Sequence, residues 1–278
     1  MSTIATGSDY APGDSRVSAF SRHEGNRYWW HHREECRYVP PIYSWLSDDE
    51  WELMRQWFHQ SETEFGGGTG ECGVPCLSML QGLIMGNGMK RVVQLGHYLG
   101  YSTMLISLMM QRMGTGGHVF SIDIDQRATD FTQGWIDRFG TTDGVTLRVA
   151  DSSDPEAGQA AIDTFGGQAP QLVFIDSSHQ YEHTLKELDL WYPLLQDWGF
   201  IVLHDASTFA TDFDSTSGGG VKRAIDEWNL MANDRIFTIN SNFGNADIAN
   251  PQSGRPETGE NLVYVDGCGL GLLQKVPR

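Results

Sequence analysis

The feature that most constrains this chain is an alternation that begins at Arg91. Short, β-rich apolar runs at 91–95, 118–123, 145–149, 171–176 and 199–204 are separated by helical stretches at 101–113, 126–139, 154–165 and 180–195. Strands separated by helices pair through crossovers, so the pattern predicts an α/β fold with a mostly parallel sheet. A helix over 219–232, a strand over 234–239 and a last strand at 262–265 or 269–275 complete the pattern. Its first unit is the most informative. Val92-Val-Gln94-Leu-Gly96-His-Tyr98-Leu-Gly100-Tyr-Ser102 is a strand that runs into a glycine turn and then a helix N-terminus. Such a junction places a small ligand at the carboxyl edge of a sheet. A dinucleotide pyrophosphate needs glycine at the first, third and sixth positions of the turn. Here the third is Tyr98 and the sixth is Tyr101, whose side chains would stand in its way.

The later strand ends carry the polar chemistry. The second strand closes on Asp123, 27 residues past Gly96, about the distance at which a carboxylate meets a ribose in one βαβ unit. Asp125 competes for that role, or caps the helix that starts near Gln126. The third strand ends at Ala150-Asp151-Ser152, which reads locally as a turn and N-cap. The fourth ends at Asp176 and continues through Ser177-Ser178-His179 into a helix. The fifth ends at His204-Asp205. If these two strands are neighbours, about 4.8 Å apart, Asp176, His204 and Asp205 converge and could hold a divalent cation. His179 follows on the same turn, and a neutral imidazole suits proton abstraction from a hydroxyl. The competing reading makes His179 a cap for the helix behind it. His183, one turn further on, reads as solvent-facing.

Gly96-x-x-x-Gly100 resembles the first motif of the class I S-adenosylmethionine-dependent methyltransferases, and the stretch Gln94–Ser102 is similar to the catechol-type and natural-product O-methyltransferases. Phe174-Ile-Asp-Ser-Ser-His-Gln-Tyr-Glu182, Gly199-Phe-Ile-Val-Leu-His-Asp205 and Gly220-Val-Lys-Arg-Ala-Ile-Asp-Glu-Trp228 resemble the macrocin and cephalosporin-tailoring group, so the resemblance covers about residues 75–278. It implies a Rossmann-like methyltransferase fold: a mostly parallel seven-stranded sheet with an antiparallel last strand and helices on both faces. It implies S-adenosylmethionine as cofactor. Gln94, Gly96, Tyr98, Gly100 and Ser102 would form its loop, Asp123 would meet the ribose, and Asp151 and Ser152 would lie beside the adenine. It also implies magnesium on Asp176, His204 and Asp205, with His179 as general base. Two positions depart from the pattern: Gln94 replaces an acid of the first motif, and His204 replaces a carboxylate. Magnesium prefers oxygen ligands, so His204 leaves the metal and its identity open, and in the alternative Asp176 and Asp205 only orient loops. The expected activity is methyl transfer to a hydroxyl of a small molecule, such as a sugar or polyketide. The rivals are a tailoring hydroxylase on the same fold, and a silent cofactor-binding partner subunit, which the loss of the acid at Gln94 favours.

Composition narrows the partners. A formal charge of −17 over 278 residues opposes binding to nucleic acid or to anionic membrane surfaces. The chain has no apolar run long enough to span a membrane, and its N-terminus lacks the pattern of a secretory signal. Cys36, Cys72, Cys76 and Cys268 are scattered and read as reduced thiols, so the expected setting is cytoplasmic. Residues 1–74 read as an N-terminal arm and helical extension, and 75–278 as the cofactor-binding domain. Tyr28-Trp-Trp-His-His32 would fasten the arm to the domain, or to a second copy in a homodimer. Ser47-Asp-Asp-Glu50 opens a helix to about Phe58, and Pro75–Met85 forms another with Leu77, Leu80, Leu83 and Ile84 facing a core. The loop over 240–260 is either a cover for the substrate or a surface excursion.

Overall fold

A computed structural model describes residues 41–65, 72–239, 241 and 267–277. The aromatic arm, the 262–265 strand candidate and nearly all of the 240–260 loop lie outside the described residues. The chain divides into two compact units, Met1–Met79 with Asn245–Asp266, and Leu80–Gly244 with Gly267–Arg278.

In the first unit, a helical turn at Pro41–Ser44 precedes α1, Asp48–Phe65. Its start is a reciprocal capping box. Ser47 N–H donates to Glu50 Oε2 (2.7 Å), and Glu50 N–H donates to Ser47 Oγ (3.2 Å). The helix continues past Phe58, where the sequence pattern predicted its end, and within the added turn Ser61 and Thr63 bond back to the carbonyls of Phe58 and His59. Tyr43, Trp51 and Phe58 stack edge to face, with centroids 5.4 and 6.3 Å apart. The division between the units falls inside α2, Val74–Asn87, on which Leu77, Leu80 and Ile84 are buried.

The second unit is the α/β fold expected from the alternation. Its elements are β1 (Arg91–Leu95), α3 (Tyr101–Met113), β2 (His118–Asp123), α4 (Gln126–Phe139), β3 (Val145–Val149), α5 (Pro155–Thr164), β4 (Leu172–Ile175), α6 (Tyr181–Leu194), β5 (Phe200–His204), α7 (Gly220–Met231), β6 (Phe237–Ile239) and β7 (Leu270–Gln274). The sheet order is β3-β2-β1-β4-β5-β7-β6. The first five strands run parallel, and β7 pairs antiparallel with both β5 and β6. Of the two candidates for the last strand, 269–275 forms it.

Strands β1, β4 and β5 carry near-continuous buried apolar residues, as central parallel strands must when helices cover both faces. Crossovers from β1 to β3 progress in one direction across the sheet, and those from β4 to β5 in the other. With right-handed crossovers, α3 and α4 cover one face and α5 and α6 the opposite one. Trp191, Leu188, Ala157 and Ala161 pack with Val93, Phe120 and Val173 in the core. The strand order reverses between β1 and β4. α/β sheets bind ligands at the carboxyl ends of the strands beside such a reversal.

Candidate active site

The glycine loop after β1 is built by polar groups that reach it from three sides. Gln94 is fully buried at its root. Its amide donates to Gly96 O (3.0 Å) and Ser102 Oγ (2.6 Å), and its carbonyl accepts from Thr103 Oγ1 (3.0 Å). One side chain thus ties the start of the turn to the first turn of α3. Gly96 has φ +84°, and a Cβ there would lie 2.0 Å from the carbonyl oxygen of Asp176. The loop therefore packs directly on the backbone that carries the acid of β4, and only glycine allows that approach. Gly100 N–H closes the turn on His97 O (2.7 Å) just before α3 begins.

Asp123 holds the loop from the end of β2. Its Oδ2 accepts from the backbone N–H of His97 (3.1 Å) and Tyr98 (2.7 Å), and its Oδ1 accepts from Asp125 N–H (2.9 Å). Three of about four acceptor positions are in use, which leaves room for one ribose hydroxyl. Asp125 caps α4 through Arg127 and Ala128 N–H, so the competing candidate is a helix cap. His97, unremarked in the sequence, is buried with its ring nitrogens 3.1 Å from Ser121 Oγ and 2.9 Å from Thr129 Oγ1. Burial lowers its pKa to about 4 against the opposing charge of Asp123, so the ring is neutral.

After β3, the cap of α5 is Asp154 rather than Asp151. Asp151 instead accepts from Ser153 N–H and Oγ (both 2.8 Å), and it lies 3.0 Å from His183 Nε2. Ser152 Oγ donates to the buried Glu187 (2.5 Å), whose other oxygen accepts from Ser177 Oγ (2.9 Å). His183 is not solvent-facing: its side chain is 19% exposed, and its Nδ1 lies 3.5 Å from Glu187. One helix, α6, thereby joins the loop after β3 to the loop after β4. The pattern on α6 showed His183 and Glu187 on one face; their partners required the fold.

The chemistry gathers where β4 and β5 end. Ile175 pairs with Leu203, so the next step of the register sets Asp176 beside His204. Successive residues of a strand point to opposite faces, yet His204 Nδ1 lies 3.3 Å from both Asp176 Oδ1 and Asp205 Oδ2. Asp205 achieves this by leaving the strand with φ +60°. His179 does the same after β4 with φ +58°, which returns its Nε2 to 3.1 Å from Asp205 Oδ2 and 3.7 Å from Asp176 Oδ1. Left-handed backbone at a non-glycine residue costs about 1–3 kcal/mol, so two such residues on facing loops mark a site whose geometry the surroundings enforce. His179 caps no helix. Its neighbour Gln180 is the N-cap of α6 but makes no side-chain capping bond, and Asp214 Oδ2 accepts the Tyr181 N–H (3.1 Å) instead.

Burial alone would raise the Asp176 carboxyl; the charge of His204 and the hydrogen bonds of His179 and His204 outweigh it and hold the group well below the usual carboxylate range. Burial alone would lower His179; Asp205 and Asp176 outweigh that and raise it to about 9. The neutral imidazole expected from the sequence is therefore an imidazolium at neutral pH, because two carboxylates face it. Asp176, His179 and Asp205 bring donor atoms within 4.8 Å of one another, as do His204, Asp205 and Cys268. Cys268, on the turn before β7, was not singled out as a donor in the sequence, since its nearness depends on which segment forms the last strand.

This sheet order, with its reversed seventh strand and a glycine loop at the switch point, defines the class I methyltransferase fold. Residues 93–206 match a family model described as a methyltransferase domain. The structure is similar to the O-methyltransferase from Bacillus cereus in complex with SAH, at 13% identity and TM-score 0.58, over 84% of this chain and 100% of the other. It is similar to the O-methyltransferase TomG from Streptomyces achromogenes, in complex with SAM, at 14% identity and TM-score 0.58, over 84% and 93%. A methyltransferase from Podospora anserina, bound to SAH, matches at 12% identity and TM-score 0.57, over 84% and 89%. The chain has the class I methyltransferase fold, and its residues 93–206 are similar to a methyltransferase domain.

Proposed function

We propose that the protein is an S-adenosylmethionine-dependent O-methyltransferase that acts on a hydroxyl of a small molecule, with a sugar or polyketide as the acceptor class. The observation that carries this reading is the position of His179, on the loop whose backbone packs against Gly96 and opposite the acids of β4 and β5. The residues fit the cofactor. The glycine loop can approach a ligand with bare backbone, and Asp123 keeps an acceptor position for a ribose hydroxyl. Ser152 and Asp151 stand after β3, where the resemblance puts the adenine. S-adenosylmethionine supplies an electrophilic methyl group on sulfur.

Methyl transfer to oxygen is an in-line displacement, and the attacking hydroxyl must lose its proton. His179 Nε2 is the group to receive it in molecules whose imidazole is neutral, a fraction that grows as pH approaches about 9, and Asp205, 3.1 Å away, stabilises the imidazolium that results. Asp176, His204 and Asp205 would hold a divalent cation, which when bound lowers the pKa of an acceptor hydroxyl. The formal charge of −17 favours a small acceptor over nucleic acid. No helix among the described residues is long and apolar enough to cross a membrane. A cytoplasmic setting, which keeps thiols reduced, suits the cysteines.

The test pairs calorimetry with methyl-transfer assays on a panel of hydroxylated small molecules. S-adenosylmethionine and its demethylated product should bind and nicotinamide dinucleotides should not. His179→Ala should lower turnover about a hundredfold or more with cofactor affinity nearly unchanged. Loss of cofactor affinity in step with turnover would make His179 structural and remove it from the reaction.

A further inference from the structure

A thiol stands beside the His204–Asp205 pair that methyl transfer does not use. A nitrogen of His204, a carboxylate oxygen of Asp205 and Sγ of Cys268 all lie within 4.8 Å of one another. His204 pairs with Leu270, so the turn entering β7 runs beside the end of β5. Backbone bonds clamp that turn in place. Ser207 N–H donates to Cys268 O (2.8 Å), Ala206 N–H to Gly269 O (3.3 Å), and the buried Ser207 Oγ to Gly267 O (2.6 Å). Gly269 makes the approach possible: its φ is +75°, and a Cβ there would lie 2.8 Å from Ser207 N.

Magnesium takes oxygen ligands and keeps its waters, whereas zinc takes imidazole, carboxylate and thiolate together. The geometry points to zinc as the ion of this site, held by His204, Asp205 and Cys268, in place of the magnesium that an all-oxygen site would take. The inference rests on the reading that this strand edge holds a divalent cation, and it explains the imidazole at position 204, where an oxygen ligand was expected. Three protein ligands leave one coordination position for water or an acceptor oxygen, the arrangement of catalytic rather than structural zinc. Asp176, 3.3 Å from His204 Nδ1, is placed to orient the ligating ring.

The experiment is metal titration of the chelator-treated full chain, read by spectroscopy rather than turnover. Cobalt(II) should bind in a one-to-one ratio and give a thiolate-to-cobalt charge-transfer band in the near ultraviolet. Cys268→Ser and Cys268→Ala should lose the band and weaken zinc binding at least about tenfold. Cys72→Ser and Cys76→Ser should keep both. X-ray absorption of the zinc-loaded wild type needs no variant and should show one sulfur neighbour at about 2.3 Å. A cobalt complex without the band, a band that survives in both Cys268 variants, or magnesium displacing zinc at equal concentration would overturn the proposal. Because no readout is catalytic, an absence of methyl transfer with the band intact would remove the proposed activity and leave the metal site standing.

Discussion

His179 Nε2 and Asp205 Oδ2 stand 3.1 Å apart, and each belongs to a residue with left-handed backbone, φ +58° and +60°. Histidine and aspartate enter that region more readily than most non-glycine residues, and the contact forms where the loops at the ends of β4 and β5 both turn sharply. The contact ties the proposed base to an acid on the neighbouring strand.

The first prediction is a titration. With both carboxylates ionised, the His179 imidazole holds its proton until about pH 9. In chelator-treated protein its NMR signals should titrate near that value, identified by their loss in His179→Gln. Asp205→Asn removes the largest influence that raises it and should bring the midpoint down toward the ordinary histidine range. If His179 is the base, turnover of the same preparation should keep rising with pH well past 6.5. A His179 signal titrating at the ordinary value in the wild type would show that the carboxylates do not face it in solution.

The second prediction separates two glycines. Gly96→Ala directs a methyl group to 2.0 Å from the Asp176 carbonyl, and backbone at a strand end has little freedom to yield. Overpacking together with the left-handed φ should cost at least about 2 kcal/mol in urea denaturation, with loss of cofactor binding. Gly134→Ala, on the exposed side of α4 with nothing within 4 Å of the new Cβ, should instead stabilise by about 0.5–1 kcal/mol. Equal effects in the two variants would contradict the close packing of the glycine loop on β4.

The contrast between strands and turns also separates what could be read in the sequence from what could not. The five parallel strands and the juxtaposition of Asp176 with His204 follow from hydrophobic runs and one register. The left-handed turns at His179 and Asp205 do not, because nothing local in Ser-His-Gln or His-Asp-Ala announces a positive φ. The raised pKa of His179 follows from those turns and was hidden with them. Cys268 was hidden for a different reason: two segments competed for the last strand, and only the antiparallel pairing of Leu270 with His204 brings the thiol to the site. The roles of His183 and Glu187 needed a long-range fact, that α6 passes under the loop after β3.

The third prediction concerns Gln94, whose presence in place of an acid favoured a silent member of the fold. The amide donates to Gly96 O and Ser102 Oγ while accepting from Thr103 Oγ1. A carboxylate could keep the bond from Thr103 Oγ1, and could accept from Ser102 Oγ only if that hydroxyl reversed its role, but it would face the Gly96 carbonyl with no donor. Gln94→Glu should therefore destabilise the domain by about 1–3 kcal/mol, the cost of an unsatisfied buried polar group, and weaken cofactor binding. Tighter cofactor binding by Gln94→Glu, with unchanged melting temperature, would show instead that the glutamine is a lesion in the loop.

The last prediction uses the pair of groups beneath the loop after β3. Burial works against a charged His183, but Glu187 and then Asp151 outweigh it and raise its pKa from 6.5 to about 9. A raised folded-state pKa gives stability that is complete below the unfolded value and is lost as pH rises through the folded one. The contribution of His183 should therefore be full up to about pH 6.5 and gone above about pH 9. Burial likewise opposes the charge on Asp151, yet the Ser153 N–H and His183 lower it from 3.8 to about 2, so its contribution is full above pH 3.8 and fades as pH falls toward 2. Between these limits both partners are charged. The difference in melting temperature between wild type and His183→Gln should thus form a plateau from about pH 4 to 6.5 and shrink toward pH 9. Comparing the two proteins at each pH removes the similar contribution of His179, which both retain. A difference that stays constant from pH 5 to 9 would mean that His183 acts through packing and not through charge.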